Sequence, residues 1–128
     1  MVVEPDVHVH KKIRIIGVGG ELFFAVVDLF QNTLQAIAHD PHVKVIILRF
    51  QGAYYVDASM CFAILKLSEY MRATNRHLLI SGISDEVWKI FSRAKLIDKL
   101  QRDHLFRSDE TKPQLSTWKA ALKAKELI

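Results

Sequence analysis

The order of apolar and polar residues along the chain predicts strands that alternate with helices. Val45–Leu48 is an unbroken apolar run of strand length, which is typical of a strand with both faces covered by helices. We therefore expect residues 43–50 to form the central strand of a sheet.

The region before this strand predicts a hairpin at the start of the domain. Ile13–Val18 has the composition of a strand, Gly19–Gly20 favours a turn, and Leu22–Ala25 is a short second apolar run. Residues 1–12 are expected to be an extended leader or an edge strand, because valine and histidine alternate over Val7–His10.

Helices are predicted on both sides of the central strand. The first is expected over residues 27–39, where apolar residues recur at helical spacing until Pro41. The second is expected to run from Ser59 to about Thr74 and to be largely buried. Its apolar stripe consists of Met60, Ala63, Ile64, Leu67 and Met71, widened by Phe62 and Leu65.

The last part of the chain continues the alternation. His77–Ser81 predicts a strand parallel to the central one, because a long helix connects the two. The later expected elements are a turn at Gly82, a helix capped by Ser84 and ending near Ala94, a short element over residues 96–100, a small strand at residues 105–106 and a helix over residues 113–127. In the last helix, Leu115, Trp118 and Leu122 are expected to face the core.

Length and composition indicate one globular domain. The chain has 128 residues, 50% of them hydrophobic, and 18 basic against 14 acidic residues give a net charge of +4. Such a mild excess argues against a nucleic-acid partner. Ten of the basic and seven of the acidic residues lie in residues 85–128, an asymmetry that favours an anionic membrane surface only weakly.

The single cysteine and the short apolar runs indicate the cellular environment of the chain. Cys61 has no second cysteine to pair with, which favours a reducing environment. No secretory signal precedes the first strand, and every apolar run is far shorter than the roughly 20 residues of a membrane-spanning helix. We expect a soluble domain, either complete or cut from a membrane protein.

The start of the second long helix is the predicted functional surface. Asp57 is expected to be the N-cap, with its carboxylate accepting hydrogen bonds from the first turn. Tyr54 and Tyr55 lie in the loop just before it. Exposed aromatic side chains beside free backbone N–H groups suit a partner protein or an anion.

Three short segments and the order of elements resemble the STAS domain, which anti-sigma-factor antagonists share with the cytosolic ends of SulP-type anion transporters. The segments are Gly20–Ala25, the strand 43–50 followed by Val56–Ser59, and Gly82–Val87. The resemblance extends over about residues 13–127. It implies an α/β fold with a central mixed sheet of four to five strands and about four to five helices. The first segment is most similar to that of the transporters.

Residues 58–60 depart from the pattern of the antagonists. In that branch the residue after the aspartate is a Ser or Thr whose phosphorylation controls partner binding, whereas this chain has Ala58. Ser59 is one position later, where a role in capping is a simpler interpretation than phosphorylation. Met60 replaces a residue that is often small. These departures favour the transporter branch.

Catalytic and metal chemistry is not indicated. His8 with His10 and His39 with His42 have no further ligand at a recognisable spacing. Gly17–Gly20 precedes a predicted strand where a dinucleotide-binding loop needs a helix, and no Walker-type sequence occurs. Ser59 has no nucleophile-elbow sequence around it, and Cys61 lies in an apolar helix. We expect neither an enzyme nor a cofactor.

The last helix has a basic side. Lys119 and Lys123 are one turn apart and Lys125 is close by, which is typical of a solvated helix face, with anionic lipid as the alternative. Trp88 and Trp118 are expected at the core or its rim, with Trp88 partly exposed.

Together, the residues and the resemblance predict a non-catalytic regulatory and interaction domain of a SulP-type anion transporter, on the cytoplasmic side of the membrane. The predicted contact residues are Tyr54, Tyr55, Asp57, Ala58, Ser59 and Met60. The expected partner is the transporter's own membrane domain, a soluble regulator or another copy of the chain. Two alternatives remain: a free-standing anti-sigma-factor antagonist, and a weak nucleotide or anion sensor that uses residues 57–60.

Overall fold

The computed structural model describes residues 2–3, 11–18, 31, 33–37, 39–50, 56–109, 111–112 and 114–128. Within these ranges the chain forms an α/β domain with one sheet between helices. The predicted hairpin strand at residues 22–25, the turn at residues 19–20 and the alternating segment at residues 7–10 lie outside the described residues.

The sheet has five strands in the spatial order β1-β2-β3-β4-β5. Strand β1 pairs antiparallel with β2, and β2 to β5 are mutually parallel, so the predicted mixed sheet is confirmed. The strands are β1 (Val2–Val3), β2 (Ile13–Val18), β3 (Val45–Phe50), β4 (His77–Ile83) and β5 (Leu105–Arg107).

The middle strand β3 is buried on both faces, as its apolar run predicts. It pairs in register with β2, Ile13 opposite Val45, and with β4, Val45 opposite His77. Because successive side chains point to opposite faces, Ile46 and Leu48 lie in one core cluster and Val45 and Ile47 in another. All four are fully inaccessible to solvent.

Helices account for most of the remaining chain. Helical backbone at residues 31, 33–37 and 39 agrees with the first predicted helix, here called α1. The others are α2 (Ala58–Ala73), α3 (Asp85–Arg93), α4 (Leu96–Lys99), a 3-10 turn (Arg102–His104) and α5 (Leu115–Leu127). Thus the short element near residue 96 is a single helical turn, and Ser84 caps α3 as expected, accepting a hydrogen bond from Val87 N at 3.2 Å.

The larger core cluster lies between the sheet and helices α2 and α3. The predicted stripe of α2 is buried there, together with Val87 and Phe91 of α3. Phe91 meets Phe50 of β3 edge to face, with ring centroids 6.4 Å apart. One part of the prediction is wrong: Phe62 does not widen the stripe, because its side chain is 61% exposed.

The opposite face of the sheet is covered by α5, and this helix is rotated relative to the prediction. Trp118 and Leu122 are 56% and 48% exposed, whereas small residues face the sheet. The buried residues of α5 are Ser116, Thr117, Ala120, Ala121 and Ala124. Their small side chains let the helix approach the strands closely, which is the physical reason why the larger residues are turned outward.

Polar contacts fix this rotation of α5. Ser81 Oγ and Thr117 Oγ1 are 2.8 Å apart and share a buried hydrogen bond, and Gly82 N donates to Ser116 Oγ at 2.9 Å. Because a buried hydroxyl without a partner is costly, these two bonds favour the observed face over its alternatives.

Gly82 lies inside β4 and is not the predicted turn residue. The pairing of β4 with β5 shifts register between Ile80 and Ile83, so Gly82 is at a bulge. Its φ is +70°, and a Cβ there would overlap the carbonyl oxygen of Phe50. Glycine is therefore required both by backbone conformation and by the close approach of β3.

A polar cluster lies where β4 begins. His77 and His104 have ring centroids 5.7 Å apart, and His104 Nδ1 is 3.0 Å from Asp103 Oδ1. Burial lowers the pKa of His77, and the neighbouring His104 and Arg72 lower it further. The hydrogen bonds with His104 and Lys123 lower the pKa of Asp103.

We predict that Gly82→Ala destabilises the domain by about 2 kcal/mol or more, since an L-residue at positive φ is strained and the added methyl group meets backbone. Urea unfolding followed by circular dichroism measures the effect. Ser92→Ala, on the exposed side of α3, is the control. Equal stability of the two variants would contradict the described bulge.

We also predict that stability falls as the pH drops below about 6.5, the ordinary pKa of histidine, because the unfolded chain then binds a proton that the native His77 resists. The loss continues until the pH passes the lowered pKa of the folded state. His77→Asn should flatten this part of the pH dependence of the free energy of unfolding. The control is His42→Asn, which removes a histidine at an exposed loop position outside the cluster and should keep the wild-type pH dependence. Identical slopes for wild type and His77→Asn would refute this role.

Candidate functional site

The start of α2 has the predicted capped geometry. Asp57 has extended backbone angles, φ −99° and ψ −179°, and its Oδ1 accepts a hydrogen bond from Met60 N at 2.9 Å. Cys61 N donates to the Asp57 carbonyl oxygen at 3.1 Å. The aspartate therefore satisfies a backbone donor that the helix itself leaves free, and the N-cap prediction is confirmed.

Met60 does not offer its side chain to a partner. It is 2% exposed and belongs to the larger core cluster, which corrects the prediction of a surface contact at this position. The reason is its register with Ile64, Leu67 and Met71, which all face the sheet. Ala58 and Ser59 are exposed, as a contact surface requires.

Phe62 takes the place in the site that Met60 was predicted to have. It is two residues after Met60, about 200° around the helix, and so points away from the core. Lys66, one turn further, has its Nζ 5.2 Å from the centre of the Phe62 ring. The start of this largely core-forming helix therefore presents a large aromatic ring at 61% exposure, with a cation over it.

Beside Phe62 a shallow groove runs between α2 and α4, with a volume of about 240 Å³. One wall is formed by α2, and the other by the end of α3 and by α4. The lining residues are Ala58, Cys61, Phe62, Leu65, Ala94, Leu96 and Lys99. The floor is therefore apolar, and Lys99 supplies a positive charge at the edge.

The chemistry of the groove favours contact over catalysis. Burial raises the pKa of the Cys61 thiol, and the carboxylate of Asp57 raises it further. The thiol is therefore protonated at neutral pH and is a poor nucleophile. Among the described residues that line the groove, Lys99 is the one charged side chain, and an ammonium group does not accept a proton.

The predicted anion site is opposed by the same cap. Asp57 places a carboxylate at the N-terminus of α2 and accepts the Met60 N–H that an anion would need. Ser59 is exposed, and within the described part of the chain its hydroxyl makes no hydrogen bond, so the capping role predicted for it is not seen. Tyr54 and Tyr55 lie outside the described residues.

The other sequence candidates do not join this site. His39 is exposed, and His42 N bonds to Asp40 Oδ1 at 3.2 Å, while His8 and His10 lie outside the described residues. Among the described residues there is no group of three or more potential metal ligands. Trp88 packs against the core cluster with Arg107 4.9 Å from its ring centre, which agrees with partial exposure.

Sequence reasoning missed Phe62 and the α4 wall of the groove. A signal for Phe62 was present, because it lies off the stripe formed by Met60, Ile64, Leu67 and Met71. The position of α4 could not be read from local sequence, since it depends on how the chain returns after α3.

Comparison with known proteins agrees with the observed architecture. The family model described as STAS domain matches residues 4–111. A crystal structure of a sulfate transporter family protein from Wolinella succinogenes is similar, with 26% sequence identity, a TM-score of 0.72 and coverage of 97% of each chain. A search of curated proteins gave no match.

We predict opposite results for two glutamate substitutions at the start of α2. Met60→Glu should prevent stable folding, because it buries an unpaired charge in the core at a cost of several kcal/mol. Phe62→Glu should leave the free energy of unfolding within about 1 kcal/mol of wild type, as expected for an exposed site. Thermal and urea unfolding of both variants tests this, and a folded Met60→Glu protein would show that the described orientation of α2 is wrong.

Proposed function

Because the chain belongs to the STAS domain family, we propose that it is a regulatory and protein-interaction domain of a SulP-type anion transporter. The observation that carries the proposal is the apolar groove beside exposed Phe62, at the start of α2. The proposed location is the cytoplasmic side of the membrane, where the domain contacts the transporter's membrane part. No helix in the described part of the chain is long and apolar enough to cross a bilayer.

The similarity to a sulfate transporter family protein supports the transporter branch. It covers 97% of both chains, so the shared region includes the sheet, α2 and α5. The sequence motif at residues 20–25 favours the same branch.

The groove suits a short apolar segment of a partner protein. Exposed aromatic residues that border an apolar recess are typical anchors at protein interfaces, where they supply most of the binding free energy. Lys99 is exposed at the edge of the groove, whereas Lys66, beside Phe62, is paired with Glu69 at 3.5 Å. A partner segment with an apolar side chain and a neighbouring carboxylate would therefore fit best.

The contact is proposed to be constitutive at residue 58. Ala58 is exposed at the first position of α2 and has no oxygen for a phosphoryl group. This position therefore does not serve as the switch by which phosphorylation controls the antagonists. A catalytic role is disfavoured by the protonated Cys61 thiol and by the lack of a base among the described residues that line the groove.

Photo-crosslinking in the transporter's own host tests the proposal. A photoreactive phenylalanine analogue replaces Phe62 in the full gene product, and membranes are illuminated and analysed by mass spectrometry. We expect adducts that join Phe62 to cytosolic segments of an anion-transporter membrane domain. Because the analogue keeps an aromatic ring at an exposed site, folding should be unaffected.

The same analogue at Tyr70, 45% exposed and two turns along α2, is the matched control. Adducts at Phe62 that are absent at Tyr70 would support the groove as the contact. Adducts only with a soluble kinase or anti-sigma factor would contradict the transporter assignment and favour a free-standing antagonist.

A further inference from the structure

We propose that the outer face of α5 is a lipid-contacting surface that binds anionic membranes. This inference concerns the side of the sheet opposite α2 and does not depend on the proposed groove contact. It rests on the observed orientation of α5 on the sheet. In this orientation large apolar side chains are exposed, and lysines lie on both sides of them.

The apolar part of this face is a continuous stripe. Leu115, Trp118 and Leu122 are separated by three and four residues and so lie above one another on the helix. Leu115 is half-buried, and the other two are about half exposed at 56% and 48%. None of the three belongs to either core cluster.

Lysines flank the stripe. At 100° per residue, Lys125 lies next to Trp118 on one side and Lys119 next to Leu115 on the other. Both are exposed, and neither has an ion-pair partner in the described part of the chain. Long lysine side chains can lie along an apolar surface while their ammonium groups reach lipid phosphates.

Two acidic side chains near this face, Asp103 and Glu126, share one lysine, Lys123. Glu126 Oε2 is 3.9 Å from Lys123 Nζ, and the same ammonium is 3.2 Å from Asp103 Oδ2. Three lysines, at positions 119, 123 and 125, against these two carboxylates leave the face with an excess of one positive charge. A positive charge around an apolar stripe that includes tryptophan complements an anionic lipid surface, because the indole ring favours the depth of the headgroups.

The positive charge of the α5 face favours lipid over a second copy of the chain as its binding partner. Two α5 faces in contact would bring Lys119 and Lys125 of one copy against those of the other, where like charges repel. A lipid surface removes this repulsion and turns the same lysines into attractive groups.

Vesicle binding tests this inference on the intact chain. In a Trp88→Phe background Trp118 is the only tryptophan, since the chain has two. We expect its emission to shift to shorter wavelength with phosphatidylcholine vesicles that contain phosphatidylglycerol, but not with phosphatidylcholine alone. Added salt should weaken the binding, because it screens the lysines.

Substitutions should separate the two parts of the surface. In co-sedimentation, Lys119→Gln and Lys125→Gln should each weaken binding about fivefold, and Trp118→Ser roughly tenfold or more. The controls are Lys89→Gln and Tyr70→Ser, which change an exposed lysine and an exposed aromatic residue elsewhere. They should bind like wild type.

Three results would overturn the inference. The first is no binding to the anionic vesicles. The second is an equal loss in the control variants, which would show nonspecific attraction. The third is a dimer in analytical ultracentrifugation without lipid that Trp118→Ser dissolves, which would assign this face to a second copy.

Discussion

The fold depends on covering both faces of β3. Its residues 45–48 are fully inaccessible, two facing each core cluster, and each fully buried aliphatic side chain of this size contributes roughly 1.5–3 kcal/mol. A strand of this kind is unstable with either face open to water, so helices must pack on both sides of the sheet. The positions of α2 and α5, and hence of both proposed surfaces, follow from this requirement.

The two faces are covered in different ways. On one face α2 fills the space with large residues of its buried stripe, and Phe62, which lies off that stripe, points outward beside α4. On the other face α5 approaches through alanines and two hydroxyl groups, which leaves Trp118 and Leu122 outside. In both helices an exposed apolar side chain is the consequence of how the sheet is covered. Within the described residues, the domain therefore presents an apolar surface on each side of the sheet.

Local sequence determined the strands and helix starts well. The apolar run at residues 45–48, the cap at Asp57 and the cap at Ser84 are all where pattern and side-chain chemistry predict them. The face of α5 was predicted wrongly, because hydrophobic size alone pointed to Trp118. The buried face of α5 is determined by the short distance between helix and sheet and by the hydrogen bonds to Ser81 and Gly82. These are long-range interactions that a local sequence pattern does not contain.

The candidate site shows the same limit. Asp57 could be predicted as a cap from the local sequence. That Met60 is buried and Phe62 is exposed could be seen only from the orientation of α2 on the sheet. The groove wall from α4 depends on the path of the chain after α3. A motif thus located the surface, and tertiary packing decided which side chains form it.

Hydroxyl-radical footprinting of the full gene product in anionic vesicles tests both surfaces together. The account predicts that Phe62 and Trp118 are oxidised more slowly there than in the isolated 128-residue chain, while exposed Tyr70 reacts at the same rate. Oxidation of Phe62 and Trp118 at the rate of the isolated chain would contradict it.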